Sequence, residues 1–128
     1  MEVVDHYLYT KEHEWVSIED NIATIGITDY AQEALGDITF VELPAIGDEV
    51  EQFEEFASIE SVKAANDIFA PVSGKVIEVN TRLESDPGLI NKSAFEKGWI
   101  AKVQMSDKEE ASNLMTAEEY QKFLESIG

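Results

Sequence analysis

The stretch Glu60-Ser61-Val62-Lys63-Ala64-Ala65-Asn66-Asp67 decides how the chain is read. It is polar and small, and apolar runs border it, Phe56-Ala57-Ser58-Ile59 before and Ile68-Phe69-Ala70-Pro71-Val72 after. Two strand-like runs around a polar linker predict a β-hairpin with Lys63 at its tip. Lys63 is the only Lys or Arg between Lys11 and Lys75, and Glu49, Glu51, Glu54, Glu55 and Glu60 crowd the approach to it. A lone lysine on a turn has two readings. It is a solvated surface side chain, as most lysines are, or it is a primary amine displayed for acylation, away from competing amines.

The neighbouring residues bear on that choice. Glu60-Ser61-Val62-Lys63-Ala64, followed by Ile68, Ala70-Pro71, Gly74, Val76 and Asn80, resembles the lipoyl-attachment hairpin of the glycine cleavage system H proteins. His13-Glu14-Trp15-Val16, Ala23-Thr24-Ile25-Gly26-Ile27-Thr28, Ala31-Gln32, Leu35-Gly36-Asp37 and Val41-Glu42-Leu43-Pro44 are similar to the same family's pattern. So are Pro87-Gly88-Leu89-Ile90-Asn91 and Gly98-Trp99. The matches run in order over about residues 9–103 without an evident insertion. Two places depart from the pattern: Ala94-Phe95 stands where a Pro-Tyr pair is expected, and Ala34 offers any arm contact an apolar surface only.

The resemblance implies a mainly β fold, a barrel-sandwich hybrid of the lipoyl-domain type with a short internal helix and C-terminal helices. It implies a carrier rather than an enzyme, with lipoic acid amide-linked to Lys63 as N6-lipoyllysine. The arm would take the aminomethyl group of glycine from the pyridoxal-phosphate glycine decarboxylase (P protein) to the tetrahydrofolate-dependent aminomethyltransferase (T protein). Dihydrolipoamide dehydrogenase (L protein) would reoxidise it, and a lipoate ligase or lipoyltransferase would attach it. Glu60 and Asp67, at the two ends of the turn, are candidates for recognition by that attaching enzyme. Glu14 is a candidate arm contact, a carboxylate able to accept a hydrogen bond from the protonated amine of the loaded arm. The alternatives for Glu14 and for the Glu60/Asp67 pair are a solvent-facing acid and ordinary turn solvation.

Composition agrees with a carrier. One domain over residues 1–128 is expected, a β core over about 7–105 and helices over about 106–128, long enough for a real hydrophobic core. Nine basic against 27 acidic residues leave a net charge of -18, a poor basis for nucleic-acid binding, which needs clustered Lys and Arg. Such a field either simply keeps the chain soluble or also favours partners with basic docking surfaces. There is no cysteine, hence no disulfide framework and no protein thiol to exchange with a dithiolane. No apolar run is long enough to cross a membrane, and Met1-Glu2-Val3-Val4-Asp5-His6 reads as neither signal nor transit peptide. A cytoplasmic, bacterial-type protein is expected, or a mitochondrial one only as a processed form.

Periodicity supplies the elements. Tyr7-Leu8-Tyr9, Trp15-Val16-Ser17-Ile18 and Ile22-Ala23-Thr24-Ile25-Gly26-Ile27 read as strands, the last two joined as a hairpin by Glu19-Asp20-Asn21, with Gly26 marking a bulge or a close approach. A helix over 30–35 is expected, capped by Thr28 or Asp29, with Gln32 closing a box on Asp29 and Gly36 as its stop. Strands follow over 37–43, over 50–59 with a bend at Glu54-Glu55, over 68–72 and over 76–79. Residues 80–90 read as loop, and 99–105 as the last strand with Trp99, Ala101, Val103 and Met105 on its core face. The tail reads as two helices, one capped by Ser106 or Asp107 and answered by Glu109 or Glu110. Thr116 caps the second with Glu119 completing a capping box and Met115 and Tyr120 as a hydrophobic staple. Tyr120, Phe123, Leu124 and Ile127 recur at helical spacing as a packing stripe.

Enzyme readings find little support. Two histidines, His6 and His13, no G-x-S-x-G elbow, no phosphate-cradling glycine loop and no cysteine ligands make a triad, a nucleotide site or a metal site improbable. Among carriers, a biotinyl domain usually has Met on both sides of its lysine, where this chain has Val62 and Ala64. A 2-oxoacid dehydrogenase lipoyl domain usually has Asp before it and belongs to a longer chain. A lipoyl relay protein, handing its group to other complexes, uses the same attachment lysine and stands as the alternative function. An acidic β-rich interaction domain leaves the match around Lys63 unexplained.

Overall fold

The computed structural model describes residues 2–127. Two antiparallel sheets make the body. The larger is built from β1 (Leu8–Tyr9), β2 (Glu14–Glu19), β3 (Ile22–Ile27), β9 (Ala101–Met105), β8 (Gly74–Val79) and β5 (Glu49–Val50), in that spatial order. The smaller contains β4 (Ile38–Glu42), β6 (Glu55–Ser61) and β7 (Ala65–Phe69), with β6 in the middle. Ile38, Val41, Ile59 and Ile68 of the small sheet pack with Ile27 and Ala101 of the large one. The hairpin bearing Lys63 is therefore one wall of the core, extended beyond it.

The β2–β3 hairpin follows from its turn. Asp20 and Asn21 take φ values of 50° and 68°, the left-handed pair that matches strand twist in a two-residue turn, and Glu19 faces Ile22 across it. The ladder then runs unbroken to Glu14 opposite Ile27, so Gly26 marks a close approach and not a bulge. A Cβ there would stand 2.5 Å from Nε1 of Trp15, whose indole donates to the Ala94 carbonyl at 3.0 Å.

Several expected elements are corrected. Helix α1 (Asp29–Leu35) is capped by Thr28, whose Oγ1 accepts from the Ala31 amide, while Gln32 reaches the side chain of Asp29 and not its backbone. The run expected as one bent strand over 50–59 is two strands in different sheets, β5 and β6, with the break over 51–54, and the strand expected over 68–72 is β7, which starts at Ala65 and ends at Phe69. Phe53 in the break has φ 68° and donates its amide to the Ala70 carbonyl at 2.6 Å. The stretch read as loop holds two short helices, α2 (Arg82–Ser85) and α3 (Leu89–Lys92). Pro, Gly and Asp hid them, but Leu83, Leu89 and Ile90 are buried and give each helix a face to pack. Trp99 lies outside β9. Its carbonyl accepts from Nδ2 of Asn80 at 2.8 Å instead of joining a ladder.

After β9 the described chain is helical apart from its connections. A 3-10 helix (Lys108–Asn113) is capped by Asp107. Glu110 does not answer that cap but accepts from the amide and hydroxyl of Ser73 at 2.7 and 2.6 Å. Helix α4 (Ala117–Ile127) begins with the expected box, Thr116 N–H to Glu119 and Glu119 N–H to Thr116. Its Tyr120 is fully buried and stacks on Tyr9 with ring centroids 4.5 Å apart. The apolar stripe stops short of Ile127, which is exposed. Among the described residues, no helix is long and apolar enough to cross a membrane.

Candidate functional site

Lys63 sits where β6 turns into β7. Ser61 and Ala64 close the turn, the Ser61 amide donating to the Ala64 carbonyl at 2.8 Å. The Ser61 hydroxyl accepts from the amides of both Lys63 and Ala64 at 3.2 Å, a local bond that holds a turn without glycine. Neither Val62 nor Lys63 has a left-handed φ, so both carry side chains without backbone strain. Both are exposed, and among the described residues no carboxylate lies within ion-pair distance of the Lys63 amine.

The turn rests on the segment between α1 and β4. The Val62 amide donates to the Asp37 carbonyl at 3.0 Å. Gly36, at φ 77°, lies under the Lys63 stem, where an added Cβ would be 3.3 Å from Cε. Glycine here serves twice: it takes the positive φ of 77° with ψ -158° at the end of α1, a conformation open essentially to glycine alone, and it leaves a flat seat for the lysine methylenes.

Glu60 and Asp67 share the outward face of the small sheet. Glu60 faces Ala65 and Asp67 faces Ser58, so the two acids are diagonal neighbours, both exposed. A cavity of about 500 Å³ runs along this face and is lined by Glu12, Ser58, Glu60, Ala65, Asp67 and Phe69 among others. Glu12 and Phe69 also line a second, more apolar cavity of about 420 Å³ beside Tyr9, Phe53 and Met115.

Glu14 is not solvent-facing. It is 2% exposed, bonded through Oε1 to the Thr10 hydroxyl and through Oε2 to the Phe69 amide, the latter at 3.1 Å. Burial pushes its carboxyl up to about 7, against the lowering pull of those two bonds. Phe69 lies six residues beyond Lys63, roughly 20 Å of extended strand. Glu14 thus stands at the far end of β7 from the lysine, tying the small sheet to β2.

Beside it, His13 has φ 70° and shares the Tyr120 hydroxyl with Thr28, each contact at 2.8 Å. Burial lowers the His13 pKa.

An exposed, unpaired amine on a rigid hairpin between two acids is the geometry of a carrier tip. The model of the family described as glycine cleavage H-protein matches residues 7–127. The chain belongs to that family. Glycine cleavage system H proteins of two Staphylococcus epidermidis strains are each 48% identical over 124 residues, covering 97% of this chain and 98% of theirs. The crystal structure of a glycine cleavage system H protein from Mycobacterium marinum matches with a TM-score of 0.86 at 36% identity, over 94% of this chain and 98% of that one. The two antiparallel sheets agree with that structure and with the barrel-sandwich fold expected from the hairpin. The H-protein family is that of the lipoyl carrier of the glycine cleavage system.

Reading this H-family chain residue by residue picks out Lys63, Glu60, Asp67 and Glu14 but misses their supports. Gly36 stands out in the sequence as a helix stop and, like Asn91, as part of the family pattern, but neither shows there its part in supporting the lysine turn. Their meaning depends on contacts more than 25 positions away, such as Gly36 with Lys63, which no local period reports.

Proposed function

We propose that Lys63 is the covalent attachment point of lipoic acid, and that residues 1–128 act as one carrier domain serving the glycine cleavage enzymes. The observation that carries this is the Lys63 amine itself, exposed and, among the described residues, free of ion pairs on a turn braced by Ser61 and Asp37. The residues present fit the group: an amide on the ε-nitrogen extends the side chain away from the Gly36 seat and meets no bulky neighbour at Ala64 or Ala65. When bound, lipoic acid would supply a dithiolane able to carry the aminomethyl group of glycine between the decarboxylase (P protein) and the aminomethyltransferase (T protein), with dihydrolipoamide dehydrogenase (L protein) as the enzyme that reoxidises the dithiol. The chain's own part is to hold the amine on its turn and present it to each partner, which is the work of a carrier and not of an enzyme.

Glu60 and Asp67 flank the amine on one face, and a lipoate ligase or lipoyltransferase with basic groups would read them there. Glu14 enters as a buried carboxylate bonded to the Phe69 amide at the end of the same strand, with acceptor positions left for the protonated amine of a loaded arm. The bacterial source of the similar proteins supports a bacterial cytoplasmic setting. The test is an intact mass after incubation with lipoate, ATP and a lipoate-attaching enzyme, on wild type and Lys63→Ala. One lipoyl group gained by the wild type and none by the variant is the expected result. Equal gain in both would move the attachment elsewhere, and no gain in either would remove the carrier reading from Lys63.

A further inference from the structure

Gly36 to Ile38 is an extended segment with two edges. On one edge the Asp37 carbonyl accepts from the Val62 amide of the lysine turn at 3.0 Å. On the other edge no strand pairs with the Gly36 carbonyl and the Ile38 amide. One side chain takes both: Asn91 donates from Nδ2 to the Gly36 carbonyl and accepts at Oδ1 from the Ile38 amide, each at 2.9 Å. A second Nδ2 proton goes to Oε1 of Gln32 at 3.0 Å. Only one amide orientation satisfies this pattern, because the partners are one donor and two acceptors.

Asn91 is itself fixed. It lies in α3, whose Leu89 and Ile90 are buried in the same core as Leu35 and Ile38. Gln32 in turn donates to Asp29 at 2.8 Å, so the clamp continues along α1. A line of bonded groups therefore runs from the core through Asn91 to the 36–38 segment and from Asp37 to the turn.

We propose that Asn91 is a positioning residue for Lys63: its side chain stands in for a missing strand, setting the level of the Gly36–Asp37 seat on which the lysine turn rests. Its bonds go to Gly36, Ile38 and Gln32 and not to the amine, so it acts through the Asp37–Val62 bond and the Gly36 surface under the lysine stem. Its consequence for lipoylation rests on the function proposed above for Lys63, whereas its consequence for the turn does not.

The test separates the two. Asn91→Asp keeps the shape and the Ile38 contact but sets a carboxylate oxygen against two carbonyl-type acceptors. Amide hydrogen exchange on the unlipoylated full chain is expected to show Val62 accelerated about tenfold, the scale of one ordinary hydrogen bond lost. The Ile100 and Met105 amides, bonded in the large sheet to Ile25 and Asn21, should keep their rates. Lipoylation of the variant should fall by a similar factor in kcat/KM. Gln32→Ala, which removes the Asn91–Gln32 and Gln32–Asp29 bonds but leaves both Asn91 bonds to the 36–38 segment, should move Val62 in the same direction by less and is the readout if Asn91→Asp does not fold. An unchanged Val62 rate, or equal acceleration of all three amides, overturns the proposal. If wild type is not lipoylated at all, the function assigned to Lys63 fails and the exchange data still decide the role of Asn91.

Discussion

Burial raises the Glu14 carboxyl from 4.5 to about 7, and stability must follow. The folded protein keeps this proton until about pH 7, whereas the unfolded chain releases it near 4.5. The folded state therefore binds the extra proton between these values, and stability falls as pH rises through them, by about 3 kcal/mol from this group alone. Glu12 nearby adds to the rise. Urea unfolding at pH 5 and pH 8 should show wild type losing about that much more than Glu14→Gln, whose amide can still bond Thr10 and Phe69. Equal losses would place the pH dependence elsewhere. Lys63 is legible in the sequence because isolation from other cations is a property of the chain. The burial of Glu14 is not, because a carboxylate beside Trp15 on a strand reads the same whether β7 covers it or water does.

Helix α4 shows what an element needs from the rest of the fold. Its capping box is readable in Thr116 and Glu119, and the structure contains it. Its anchor is less readable: the Tyr120 hydroxyl is shared by His13 and Thr28, joining the helix to the β1–β2 connection and to the cap of α1. Tyr120→Phe keeps the ring stack on Tyr9 but leaves both partners without that hydroxyl. A destabilisation of about 2 kcal/mol is expected in denaturant unfolding, with near-wild-type stability counting against the network. Helices α2 and α3 show the converse. Four residues each, they have no room for a helical period, and their turn-forming neighbours read as loop until Leu83 and Ile90 are seen in the core.

Over the whole molecule the net charge is -18, and the two ion pairs found among the described residues, Lys102 with Glu78 and Lys122 with Glu118, are not deeply buried. Most carboxylates therefore repel one another with little local compensation. Adding salt should stabilise the free protein, by about 1 kcal/mol if several exposed terms of a few tenths each are screened. A thermal midpoint that fell with added sodium chloride would mean that attractive pairs dominate instead. The strands, the lysine tip, the caps of α4 and the acidic field follow from neighbouring residues, since period, turn chemistry and charge are local properties of a chain. The pairing order of the sheets, the burial of Glu14 behind β7, the Gly36 seat and the Asn91 clamp do not. Each depends on bringing together residues such as Phe69 and Glu14, or Asn91 and Gly36, that lie 55 positions apart in the chain, and only the closed core sets those distances.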